Sequence, residues 1–98
     1  MAENAKYRRD ALMQLANVGA ATRRDFDLLG ITTVEQLASS DADELYVRLN
    51  AVTGQRHDPC AWDVFAAAIH QARTGEALAW WTWTPERKRR QKTGEFCI

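Results

Sequence analysis

One stretch near the N-terminus, residues 12–31, constrains the fold of this chain more than any other. Two apolar segments flank the short sequence Asn17-Val18-Gly19. Asparagine and glycine both tolerate the left-handed backbone region that a tight turn between helices needs. The pattern therefore predicts a helix, a tight turn and a second helix that begins at Ala20 or Ala21 and runs to Leu29. Gly30 is expected to end it.

The rest of the chain carries repeated helix signals, such as Thr33 before an apolar run and the Asp58-Pro59 pair. No alternating apolar pattern exceeds three or four residues, so the class is all-α. We expect a compact bundle of five to six helices. The predicted helices are 6–15, 20–29, 34–38, 41–52, 59–73 and a basic helix that follows Pro85 and runs through Lys92.

The helix over 59–73 is the most apolar segment and is expected at the centre of the bundle. The helix before it should bury Leu45, Leu49 and Val52. Together these two helices form a second hairpin, whose turn over 53–57 lacks the short hydrophobic-glycine form of the first. We interpret it as a degenerate copy of the first hairpin.

A length of 98 residues suits one core. We divide the chain into a domain over residues 1–83 and a basic C-terminal helix and tail over residues 84–98. Two cysteines are too few for a disulfide scaffold. The polar N-terminus and the absence of a long apolar run indicate a cytoplasmic protein without a membrane partner.

Charge is unevenly distributed although the formal net charge is zero. The balance is +3 over residues 1–24, −6 over residues 25–76 and +3 over residues 77–98. A nucleic-acid partner would therefore meet the two ends of the sequence rather than its middle.

Specific residues in two regions resemble a known family. Leu12-x-x-Leu15-Ala16-Asn17-Val18-Gly19 resembles the helix-hairpin-helix motif, in the form seen in the C-terminal domain of the competence regulator TfoX. The run Thr53-Gly54-x-Arg56-x-Asp58-Pro59-Cys60 and the cluster Trp80-Trp81-x-Trp83 are similar to those of the small bacterial "pathogenicity locus" family. Some members of that family carry a mitomycin-resistance label. The resemblance implies a helix-hairpin-helix (SAM-like) fold and implies no biochemical activity.

The first hairpin is a candidate site for a DNA backbone phosphate. A helix start carries unpaired N–H groups and a partial positive charge, and contact with phosphate there is independent of sequence. The packing of a hairpin that touches no nucleic acid is an equally open interpretation, since Asn17 replaces a glycine of the usual turn. The candidate residues are Val18, Gly19, Ala20, Ala21, Thr22, Arg23 and Arg24.

The tail is a second candidate, because Trp80, Trp81 and Trp83 precede a basic run. Aromatic rings beside cations can stack bases and neutralise phosphates of single strands. The rings could instead seal the bundle or a dimer contact. The basic candidates are Arg87, Lys88, Arg89 and Arg90.

The sequence gives little support for a metal site or for an enzyme. His57 and Cys60 have ligand-like spacing, but a second close pair that would complete a zinc site is missing, with His70 and Cys97 far along the chain. Cys60 at a helix start could have a lowered thiol pKa, although a buried and inert cysteine is the commoner case. We expect no cofactor, metal or small-molecule substrate. The leading hypothesis is a non-enzymatic module that binds nucleic-acid backbone; the alternative is a protein-interaction or homodimerisation module anchored by the tryptophans.

Overall fold

The computed structural model describes residues 11–95, and that part of the chain contains helices and turns but no strand. There are five α-helices and two 3₁₀ turns in it. The helices are α1 (Ala20–Leu28), α2 (Val34–Ala38), α3 (Ala42–Thr53), α4 (Cys60–Thr74) and α5 (Thr84–Thr93), and the 3₁₀ turns are Leu12–Gln14 and Trp80–Trp83. The predicted all-α class is confirmed.

The first arm of the hairpin differs from the prediction. Only residues 11–15 of the expected helix over 6–15 are described, and they form the 3₁₀ turn Leu12–Gln14, followed by Leu15 with an extended ψ of 141°. Short runs near a chain reversal commonly take this tighter form. Leu12 is nevertheless fully buried, so the predicted apolar anchor is in place. Arg8 and Arg9 lie outside the described residues.

The predicted start of α1 at Ala20 is confirmed, and the helix ends at Leu28, one residue before the predicted Leu29. Gly19 is its N-cap residue, and Gly30, at a φ of 76°, follows its last turn. The N–H of Ile31 donates to the carbonyl of Phe26 at 2.9 Å and the N–H of Gly30 donates to that of Asp27 at 3.1 Å. This is the Schellman arrangement, which satisfies the last helical carbonyls.

Local capping also determines where the next three helices begin. Thr33 begins α2 with a capping box, in which its hydroxyl accepts from the N–H of Gln36 at 3.0 Å. Asp41 caps α3 through the N–H of Asp43. Asp58 accepts from the N–H of Cys60 at 2.8 Å and so caps α4 from the residue before Pro59.

The helix α4 is the central element, as predicted. It packs against α2, α3, α5 and the second 3₁₀ turn. Its buried residues are Trp62, Asp63, Phe65, Ala67, Ala68 and Ile69. The ring of Phe65 meets that of Phe26 of α1 with centroids 5.8 Å apart, which joins the hairpin to the core.

The predicted burial of Val52 is wrong, since this side chain is 55% exposed. The buried face of α3 consists of Leu45, Tyr46 and Leu49, and the Tyr46 hydroxyl donates to the carbonyl of His57. Val52 therefore falls at the edge of that face, in the last turn of the helix. Within residues 11–95, no helix is long and apolar enough to cross a membrane.

Candidate nucleic-acid interface

The turn before α1 is fastened to the rest of the fold by the side chain of Asn17. Its amide nitrogen donates to the carbonyl of Leu78 at 2.7 Å, and its amide oxygen accepts from the N–H of Trp80 at 3.0 Å. The N–H of Ala16 also donates to Gln71 Oε1 at 2.9 Å. Asn17 has no positive φ, so it is present for its side chain rather than for a left-handed backbone. It points toward the segment 78–80.

The N-terminus of α1 carries no side-chain cap. Gly19 is exposed, as are Ala20 and Ala21, and a Cβ added at Gly19 would meet no atom within 4 Å. Thr22 is half-buried. The first helical N–H groups lack an intrahelical acceptor by geometry. They therefore face open space at the positive end of the helix dipole.

A groove of about 640 Å³ lies between the hairpin turn and the tryptophan segment. Its walls are the stretches 16–19 and 77–81. Trp81 is 63% exposed there, and its ring meets that of Trp80 edge to face at 5.7 Å and 81°. The structure thus brings together the predicted hairpin turn and two of the three predicted tryptophans, Trp80 and Trp81, while Val18 is buried beneath the turn.

The two hairpin arginines have different surroundings. Arg23 is only 3% exposed, and its guanidinium donates to Asp27 Oδ1 at 2.7 Å. Arg24 is exposed, and its side chain makes no hydrogen bond or ion pair with residues 11–95. Next to it, burial raises the pKa of Asp25, while the charges of His57 and Arg24 lower it. Only Arg24 of this pair therefore presents its charge to solvent.

The basic helix α5 is held against α3 and α4 by its own arginines. Arg87 is buried, and it donates through Nε and Nη2 to the two carboxylate oxygens of Asp63, at 2.8 and 3.3 Å. The Thr84 hydroxyl donates to the same carboxylate at 2.7 Å. Asp63 is completely buried, and this pairing raises the pKa of Arg87. Arg87 is therefore a structural anchor of the C-terminal helix.

The other tail cations also differ in whether a carboxylate pairs with their charge. Arg90 donates to both oxygens of Asp43, one of them at 2.9 Å, and lies 5.7 Å from the ring centroid of Trp62. Arg89 is exposed but pairs with Glu86 and Glu95, which raises its pKa. Lys88 is exposed and has no such partner in the described part of the chain. Of the four predicted tail residues, Lys88 alone offers an uncompensated charge there.

A second crevice, of about 350 Å³, lies where the start of α3 meets α4 and Trp83. Its polar side chains already have partners. The ring of His70 bonds Glu76 at 2.7 Å and packs on that of Trp83 at 5.2 Å, while Arg73 donates to the carbonyls of Ala38 and Ser40. This crevice is therefore a packing feature of the fold.

The structure assembles no metal centre from the described residues, in which no three or more His, Cys, Asp or Glu side chains are placed to hold an ion. Cys60 is a free thiol. Burial, with a smaller contribution from Asp58, raises the pKa of this thiol, which agrees with an inert cysteine and not with a thiol of lowered pKa at a helix start. Cys97 lies outside the described residues.

Sequence reasoning missed the long-range contacts of three residues that organise the site. Asn17 and Gln71 position the turn, and Asp63 positions the tail, through contacts with residues 24 to 63 positions away. One of these roles could have been predicted from the sequence. Asp63 stands among the apolar residues of α4, and a buried aspartate requires a cationic or hydrogen-bonding partner.

The fold and the groove define a small all-α protein in which an asparagine joins the turn before α1 to the tryptophan segment. The chain belongs to the pathogenicity locus (Cdd1) family, whose model matches residues 5–89, so the resemblance seen in the sequence is confirmed. It is similar to a protein of Streptomyces lavendulae named mitomycin resistance protein McrB, with 47% identity over 78 residues, which cover 80% of this chain and 74% of that relative. No solved structure matches the chain.

Proposed function

We propose that this protein is a non-enzymatic helix-hairpin-helix module that contacts DNA backbone phosphate without sequence specificity. The observation that carries the proposal is the uncapped N-terminus of α1, where Gly19 leaves open space before the first helical N–H groups. A phosphate accepts hydrogen bonds from such groups and is attracted by the helix dipole. The nine residues of α1 suffice for a developed dipole.

Charge at this site comes from Arg24. It lies four residues after Ala20 and hence on the same helix face, and side chains of a helix lean toward its N-terminus. From this face the exposed guanidinium can reach a phosphate held at the turn. Arg23 is omitted from the contact set because its charge is engaged with Asp27 inside the fold.

The tail contributes less charge than its sequence suggests. Arg87, Arg89 and Arg90 all face carboxylates, so we assign the extension of the footprint to Lys88, with Lys92 as a second exposed cation. Contacts of this kind neutralise phosphates but read no base edges, which is why the binding we propose is independent of sequence.

A substitution at Gly19 separates binding from folding. Its φ of −95° suits any residue, and aspartate is a favoured N-cap residue. Gly19→Asp should therefore keep or raise the thermal midpoint, while its carboxylate occupies the N–H groups and repels phosphate. We expect duplex DNA affinity to fall at least ~10-fold, as the loss of charge-assisted hydrogen bonds implies.

Gly19→Ala is the matched control, because it adds a Cβ in open space without an acceptor or a charge. Fluorescence anisotropy with a labelled duplex at low salt measures both variants. Equal affinities of Gly19→Asp and wild type would refute hairpin contact.

The alternative function, a protein-interaction or homodimerisation module, is favoured by one observation: Trp81 is 63% exposed. Deletion of residues 80–98 is a poor test, since it would leave Asp63 buried without Arg87. The mass of wild type and Trp81→Ala by size exclusion with light scattering is a better one. A dimer that Trp81→Ala dissociates supports this alternative, and a monomer in both cases counts against it.

The name of the Streptomyces lavendulae relative suggests a cellular measurement. If mitomycin resistance extends to this chain and depends on DNA contact, expression of wild type should raise host survival on mitomycin, and expression of Gly19→Asp should not. Equal survival with both variants would separate resistance from the hairpin.

A further inference from the structure

The indole of Trp81 has no structural task that would explain its position. It is 63% exposed, whereas Trp62 is buried and both Trp80 and Trp83 are half-buried. Its contact with Trp80 is edge to face, with an interplanar angle of 81°. Since two such rings touch through an edge of one and a face of the other, much of the Trp81 ring remains available for a flat partner.

Small residues in the lining of the groove beside Trp81 allow a partner to approach the backbone closely. Apart from the two indoles, Asn17, Val18 and Leu78, its lining consists of small residues: Ala16, Gly19, Ala77 and Ala79. No acidic residue lines it. The partner can therefore be anionic as well as flat.

Charge complementarity favours a nucleotide over an apolar protein segment. The positive end of α1 opens on the groove at Gly19, and the exposed cation Arg24, which lies outside the lining, belongs to the same helix. A nucleotide carries an aromatic plane and a negative phosphate within one unit. The groove has no charged side chain in its lining, and it places an exposed indole beside the positive end of α1.

A base inside a duplex is stacked on both of its faces, so an indole can reach only a base that is unpaired. Stacking on aromatic side chains is how single strands are held without sequence preference. We infer that the groove between the hairpin turn and Trp81 takes an unpaired nucleobase, so that the ligand of the proposed DNA site is single-stranded or locally unpaired DNA. This inference rests on the proposed function.

The test compares an oligothymidylate with a blunt duplex of equal length, both at low salt. For wild type we expect tighter binding of the single strand. Trp81→Ala should lower the single-strand affinity roughly 5- to 150-fold, the range that corresponds to loss of one stacked base. It should change duplex affinity less than about twofold, because phosphate contacts remain. Trp81→Phe, which keeps an aromatic face, should retain most of the affinity.

Val52→Ala is the matched control, since Val52 is similarly exposed at 55% but lies outside the groove. Thermal melting checks that all variants fold. If both DNAs bind and Trp81→Ala weakens neither, the inference is overturned while the proposed function stands. If wild type binds neither DNA, the proposed function fails as well. If Trp81→Ala changes only the oligomeric mass, the groove is a protein interface and the inference is overturned.

Discussion

Replacement of Arg87 by alanine is the structural perturbation with the largest expected effect. Asp63 is fully buried on α4, and its carboxylate accepts two hydrogen bonds from Arg87 and one from Thr84. Without the guanidinium, a buried charge would keep only the Thr84 hydroxyl as partner. Because the same contact fastens α5 to the core, the C-terminal helix should loosen together with it.

The magnitude follows from burial and distance. At 2.8 Å and an effective dielectric constant of about 20, the two charges attract by about 6 kcal/mol. Desolvation of both groups offsets much of this attraction, and removal of one partner from a buried pair costs about 3–5 kcal/mol. Domains of this size are stable by about 5–15 kcal/mol, so the thermal midpoint should fall by about 12 °C or more.

Arg89→Ala is the matched control on the same helix. Arg89 also faces two carboxylates, those of Glu86 and Glu95, but all three side chains are about half-exposed. Exposed pairs contribute little, so the midpoint of Arg89→Ala should remain near that of wild type. Circular dichroism during thermal and urea unfolding measures both variants.

Two results would refute this reasoning. One is an Arg87→Ala midpoint equal to that of Arg89→Ala. The other concerns the double variant Asp63→Leu/Arg87→Met, which removes both charges and keeps apolar volume. Replacement of a whole buried pair by apolar residues is often neutral or stabilising. The double variant should therefore be clearly more stable than Arg87→Ala. If its stability were as low as that of Arg87→Ala, shape rather than charge would hold α5 in place.

Three further variants test other contacts. Asn17→Ala removes the hydrogen bonds to Leu78 and Trp80 and should lower the free energy of unfolding by about 1–3 kcal/mol, measured by urea unfolding. Gly30→Ala forces a side chain into a φ of 76° and should cost about 1–2 kcal/mol, whereas Gly19→Ala adds no strain and should cost less, about 0.5 kcal/mol, because alanine is a poorer N-cap residue than glycine; equal effects would contradict the strain argument. Because burial raises the pKa of Asp25, the folded state binds its proton more tightly than the unfolded state, and stability falls as pH rises through the folded pKa. Asp25→Asn should therefore raise the melting midpoint at pH 7 but not at pH 3, below the reference pKa of 3.8, and a gain at both would point to another cause.

Helix boundaries were predictable because their signals are local. The cap at Thr33 acts on Gln36, three residues away, and Gly30 ends α1 through bonds to Phe26 and Asp27. Such contacts are fixed by neighbouring residues, so a short sequence window contains both partners.

The exposure of the candidate site residues was not predictable in the same way. Whether Arg23 or Arg24 faces solvent depends on which side of α1 packs on the core. The engagement of Arg87 depends on an aspartate 24 residues earlier. From the sequence, the basic run of the tail was therefore interpreted as one charged surface. In the structure, most of its arginines form ion pairs with carboxylates from the acidic middle of the chain.

The salt dependence of duplex affinity tests the central claim, contact with backbone phosphate at the hairpin, most directly. Anisotropy titrations of wild type and Arg24→Gln against two duplexes of unrelated sequence supply it. We predict equal affinity for both sequences, a linear fall of log affinity with log salt, and a slope reduced by about one unit in Arg24→Gln. A wild-type protein that binds neither duplex at low salt, or an Arg24→Gln slope equal to that of wild type, would contradict this claim.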